Sequence, residues 1–142
     1  MRQYLVIAHR TLGGAQLMEH LHHLREEDPY CRFHLVVPRR HRPVGPSLEV
    51  DEILEAQAVL DTVLEQMATM GMGSTGQVGD PNPVFAAGDA IRRLGVDKVT
   101  GVIVSTLPKR TSAWIRGAVP DRIAKAWPLL PVSHVVAEDA LV

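Results

Sequence analysis

The sequence predicts an α/β domain in which a parallel sheet is covered by helices on both faces, and three observations carry that prediction. Short apolar runs rich in strand formers alternate with longer stretches whose apolar residues recur at helical spacing. The runs are apolar almost throughout rather than at every second residue, as strands buried on both faces read. The connections are long enough for helical crossovers, which in their usual right hand set successive strands parallel.

Tyr4 to Ala8 forms the first strand, and Thr11 stands where it would cap the helix that follows. In that helix Leu17, Leu21 and Leu24 recur on one side with Met18 beside them, Glu19, Glu26 and Glu27 face water, and Asp28-Pro29 stops it. Phe33 to Val37 is the second strand, ended by Pro38, and the polar, proline-interrupted stretch from Arg39 to Ser47 is a loop long enough to act as a lid. Between Val50 and Met70 a stripe of Ile53, Leu60, Val63 and Met67 opposes Asp51, Glu55 and Asp61, which makes a long amphipathic helix closed by Gly71 and Gly73.

Thr75 to Val78 is a short third strand, and Gly79-Asp80-Pro81-Asn82-Pro83 is a turn opening a helix that runs to Leu94, with Gly95 as its C-cap. Val102 to Ser105 is the fourth strand. Thr111 and Ser112 stand before a short segment containing Trp114, Gly117 lets the chain turn, and Pro120 to Trp127 is the last helix, with Pro120 suited to its first turn. Val132 to Val136 is the fifth strand.

A length of 142 residues fits one domain, 1–142, with a core between sheet and helices. The net charge of −1 removes a general case for nucleic acid or membrane surfaces as partners. No apolar run approaches bilayer length and the N-terminus enters a strand without a signal-peptide pattern, so the expected location is the cytoplasm. Cys31, the one cysteine, excludes an intrachain disulfide and reads as a small buried side chain.

Open α/β sheets take ligands beyond the carboxyl ends of their strands, where the strand order reverses. Those ends carry His9-Arg10-Thr11, Arg39-Arg40-His41-Arg42, Gly79-Asp80, and Ser105-Thr106-Leu107-Pro108-Lys109-Arg110, so three of the four are basic. Positive charge beside helix N-termini favours a phosphate or another small anion. The opposing account is that surface loops are often charged and that a serine before a helix is commonly a cap.

The arrangement of elements, the length and two segments resemble the universal stress proteins. The segments are Val102-Ile103-Val104-Ser105-Thr106-Leu107-Pro108, running on through Ser112-Ala113-Trp114-Ile115-Arg116-Gly117-Ala118-Val119-Pro120-Asp121-Arg122-Ile123, and Pro131-Val132 at the fifth strand. Gly79-Asp80-Pro81-Asn82-Pro83 and Ser105-Thr106-Leu107-Pro108 are similar to an actinobacterial-type branch. The resemblance implies a three-layer sandwich of the HUP type, related to the adenine nucleotide alpha hydrolases, with a five-stranded parallel sheet in the order 3-2-1-4-5. It also implies a non-enzymatic module, ATP or AMP as the candidate ligand, and a homodimer joined through the C-terminal edge strand.

ATP-binding members carry G-x2-G-x9-G-(S/T), and here the chain departs from the pattern. Ser105 and Pro108 stand at the first two glycines, the spacing to Gly117 is one residue short, and Ala118 replaces the hydroxyl residue. His9 stands at the acidic position after the first strand. Carried over residue by residue, the candidate ligand-binding set is Ala8, His9, Arg10, Thr11, Val37, Ser105, Thr106, Lys109, Arg110, Gly117 and Ala118, with Arg10, Lys109 and Arg110 compensating by charge for the missing glycines. The alternative is a dimeric scaffold whose phosphate site has decayed.

Two further constellations are weaker. Glu19, His23 and Glu27 share a helix face at i, i+4 and i+8, but a surface helix supplies no closed coordination sphere, so no metal is expected. Ser105, Thr106 and Ser112 come near His9 in the expected fold, but no acid is evident to orient the histidine, so no catalytic residue is assigned.

Overall fold

A computed structural model describes residues 2–9, 11–40, 49–108 and 113–137. The strands are β1 (Gln3–Ile7), β2 (Arg32–Pro38), β3 (Ser74–Gly79), β4 (Gly101–Thr106) and β5 (Val132–Val136). The helices are α1 (Ala15–Glu27), α2 (Glu49–Thr69), α3 (Pro83–Leu94), α4 (Ala113–Arg116) and α5 (Val119–Ala126), with one 3-10 turn at Val96–Lys98 that periodicity did not foretell. All pairings are parallel and the sheet order is β3-β2-β1-β4-β5, as expected.

Side chains alternate along each strand, so each central strand feeds two cores. Val6, Leu35 and Ile103 pack with Leu17 and Leu21 of α1 and with Leu60 and Met67 of α2. Leu5, Val36 and Val104 pack on the other face with Ala87 and Ile91 of α3 and with Ile123 of α5. Each large aliphatic side chain among them contributes roughly 1.5–3 kcal/mol by leaving water, which is why β1 and β4 at the centre carry no charge.

Local signals act as anticipated at several ends. Asn82 caps α3, its side chain accepting from the backbone N–H of Val84 and Phe85, with Pro83 opening the helix. Gly71 and Gly95 adopt positive φ just beyond α2 and α3, a conformation costly for any residue with a Cβ.

Three expectations fail. Thr11 does not cap α1: the helix begins at Ala15 after a turn through Gly13 at φ 85°, and the Gly14 N–H donates to the Thr11 carbonyl at 2.9 Å. The buried stripe of α2 runs through Ala56, Leu60, Val63 and Met67, while Ile53 is exposed and Glu52 is buried. At the entry to α5 the left-handed residue is Ala118, at φ 53°, and not Gly117, so the turn assigned to the glycine is made by its neighbour.

Candidate functional site

From β1 the chain crosses over α1 to β2, whereas from β4 it passes through α4 and α5 on the opposite face to reach β5. The two crossovers part between β1 and β4, so the carboxyl ends of these two strands are the switch point of the fold.

Two short hydrogen bonds organise this end of β4. Ser105 projects to the α1 side, and its Oγ lies 2.6 Å from Oγ1 of Thr11, either hydroxyl serving as donor; both residues are buried. The turn at Gly13 makes this contact available by releasing Thr11 from helix capping. Thr106 projects to the α5 side, where its Oγ1 lies 2.8 Å from Nε2 of His134 on β5. Consecutive hydroxyls thus tie β4 to the β1 turn on one face and to the edge strand on the other.

The remaining candidates divide into three groups. Ala8 and Val37 are fully buried in the core beneath α1 and α2, with no surface to offer a ligand in this conformation. His9 is half-buried just past β1, with Nε2 shielded from solvent. Gly117 and Ala118 are exposed between α4 and α5. Arg10, Lys109 and Arg110 lie outside the described residues, as do Thr111, Ser112, His41 and Arg42.

The basic rim is partly neutralised from within. Arg39 Nη1 lies 3.1 Å from Oε1 of Glu52, whose side chain is only 6% exposed, and Arg40 Nη1 lies 3.9 Å from Oε1 of Glu55. A buried carboxylate needs such a partner. The Arg39 pair therefore holds the end of β2 against α2, whereas the exposed Arg40 pair adds little.

One buried polar cluster had escaped the sequence reading. His34 of β2 is buried on the α3 face, with Nδ1 2.7 Å from Thr75 Oγ1 and Nε2 2.8 Å from Gln77 Oε1. An amide oxygen only accepts, so Nε2 donates and Nδ1 of the neutral ring accepts from the threonine. Burial pushes the His34 pKa down, the Gln77 bond opposes that, and the charge of Arg93 adds to the lowering. A polar residue inside an apolar strand, with Thr75 and Gln77 two apart on the next strand, was the available signal.

Cys31 is buried and its thiol is pushed up, chiefly by burial and then by the charge of Asp28, so it holds no nucleophilic thiolate. On α1, His23 Nε2 pairs with Glu27 Oε1 at 3.2 Å in the open, and the described residues contain no group of three ligands arranged to hold a metal. A groove of about 540 Å³ runs between α1 and β5, walled by Glu19, His20, His23 and Glu26 and by Val135. It lies on the flank of the sheet, beside the edge strand and away from the switch point.

A five-stranded parallel sheet of this order, with its switch point between β1 and β4, defines a doubly wound α/β fold. No protein-family model matches the sequence, and no curated protein matches it significantly. Among solved structures, a universal stress protein family member from Burkholderia pseudomallei is similar at 17% identity and a TM-score of 0.64, over 93% of both chains. A universal stress protein family member from Arabidopsis thaliana, with AMP bound, is similar at 11% identity and a TM-score of 0.60, over 97% of this chain and 93% of that one. The chain has the universal stress protein fold. Among the described residues, no helix is long and apolar enough to cross a membrane.

Proposed function

We propose that this chain is a binding module rather than an enzyme, taking a small anionic ligand of the nucleoside phosphate class at the β1/β4 switch point and pairing with a second copy of itself through β5. The observation that carries the reading is the Thr11–Ser105 pair, which gathers two hydroxyls at the switch point where the ligand of such a fold belongs. Hydroxyls in that place can exchange their mutual bond for bonds to phosphate oxygens without leaving a buried polar group unmatched. The AMP bound to the Arabidopsis protein supports the choice of ligand class. Arg10, Lys109 and Arg110 supply the positive charge in this reading, since Arg39 and Arg40 already have carboxylate partners.

Those same pairings favour a second reading, a dimeric scaffold whose phosphate site has decayed. Calorimetric titration with ATP, ADP and AMP, with and without magnesium, separates the two. Saturable heat that disappears in an Arg10→Ala/Lys109→Ala variant supports the anion site. Absence of heat from every nucleotide leaves the scaffold.

A further inference from the structure

The β5 edge has a near-palindromic sequence with a histidine at its centre. β5 reads Val132-Ser133-His134-Val135-Val136, and among the described residues no strand flanks its outer side. The strand carries no charged residue to discourage pairing, and Val136 stands 43% exposed, with Leu129 just before the strand 87% exposed. These features fit a second copy of the same strand: in an isologous antiparallel pair, the register that uses all five residues sets His134 opposite its own copy.

That register also matches side chains. Val132 packs with the α5-side core and Val135 with the α1-side core, so Val132, His134 and Val136 form the α5-side row. Across the two-fold axis Val132 meets Val136 and Val136 meets Val132, closing an apolar wall on each side of the two imidazoles.

Resting on the self-pairing reading above, we infer that His134 is a proton-sensitive gate at the axis of this interface: neutral histidines permit β5 to pair with its copy, and protonation drives the copies apart. Imidazoles charge between about pH 5 and 8. Directly opposed residues of antiparallel strands are about 5 Å apart, and two unit charges at that separation weaken association on the order of tenfold or more. The group bonded to His134 from β4 is the neutral Thr106 hydroxyl, which gives protonation no compensating charge. From α5 the charged residues are Asp121, Arg122 and Lys125. From the α1 side of the groove that His134 borders come Glu19 and Glu26 with His20, His22 and His23, three further imidazoles whose effect must be separated experimentally.

Sedimentation of the whole chain at about pH 8 and about pH 5.5, with His134→Gln and Val136→Lys beside the native sequence, tests the gate. Glutamine keeps a partner for Thr106 without acquiring charge. The expected result is a native dimer weakened on the order of tenfold by acid, a His134→Gln dimer equally strong at both values, and a Val136→Lys monomer. A native dimer indifferent to pH overturns the gate and leaves the pairing intact. A native monomer throughout overturns the pairing itself, and so does a Val136→Lys dimer as strong as the native one. Acid weakening that persists in His134→Gln transfers the effect to the α1 histidines and overturns the assignment to His134.

Discussion

Ala118 lies at φ 53° and ψ 40°, and it is the one non-glycine residue with positive φ among the described residues. A Cβ in that conformation crowds the following carbonyl and costs about 1–2 kcal/mol. Ala118→Gly removes the crowding but loosens the unfolded chain, which takes back about 0.4–1 kcal/mol, so the net gain is about 0.5–1 kcal/mol. An unfolding entropy of about 2.1 cal/mol/K per residue over 142 residues makes 1 kcal/mol worth about 3 °C, and the variant should melt about 2–3 °C above the native chain. Gly117→Ala is the counterpart. Gly117 does not have positive φ, and its added Cβ would meet only the Ala113 carbonyl oxygen tightly, at 3.2 Å. That substitution should lie within about 1 kcal/mol of neutral, the strain being offset by a stiffer unfolded chain. Scanning calorimetry of both variants decides the matter. Loss of stability in Ala118→Gly, together with collapse of Gly117→Ala, would return the turn to Gly117 and refute the reasoning.

Two further tests address buried polar groups. Burial holds the folded-state pKa of His34 below the ordinary histidine value of 6.5, so between the two values the unfolded chain binds more protons and stability falls as pH drops through that window. Urea midpoints measured at about pH 7.5 and about pH 5 should therefore fall further for the native chain than for His34→Leu, and equal drops would show that His34 is not responsible. Arg39→Ala removes the 3.1 Å contact with the buried Glu52 carboxylate and should cost about 1.5–3 kcal/mol. In a double-mutant cycle with Glu52→Gln, a coupling under about 0.5 kcal/mol would rule out the pair as a clamp between Arg39 and α2.

The periodicity of hydrophobic residues was sufficient for the class of fold, because it follows from backbone geometry: continuous apolar runs such as Val102 to Val104 belong to strands covered on both faces, and Leu17, Leu21 and Leu24 to a helix covered on one. Asn82 and Pro83 were legible for the same reason, since a cap is a contact between residues close in sequence. The carboxyl ends of the strands were identifiable as the place to seek a site once the sheet was taken as parallel. What the sequence did not determine is how groups far apart along the chain satisfy one another. Thr11 finds Ser105 across 94 positions instead of capping its own helix, Arg39 is engaged by Glu52 instead of standing free at the rim, and the pKa of His34 is lowered by burial while its ring is matched by Thr75 and Gln77 from another strand. Sequence spacing records local backbone preference. The partner of a polar side chain, and with it the charge available to a ligand, is decided only when the sheet assembles and water is excluded.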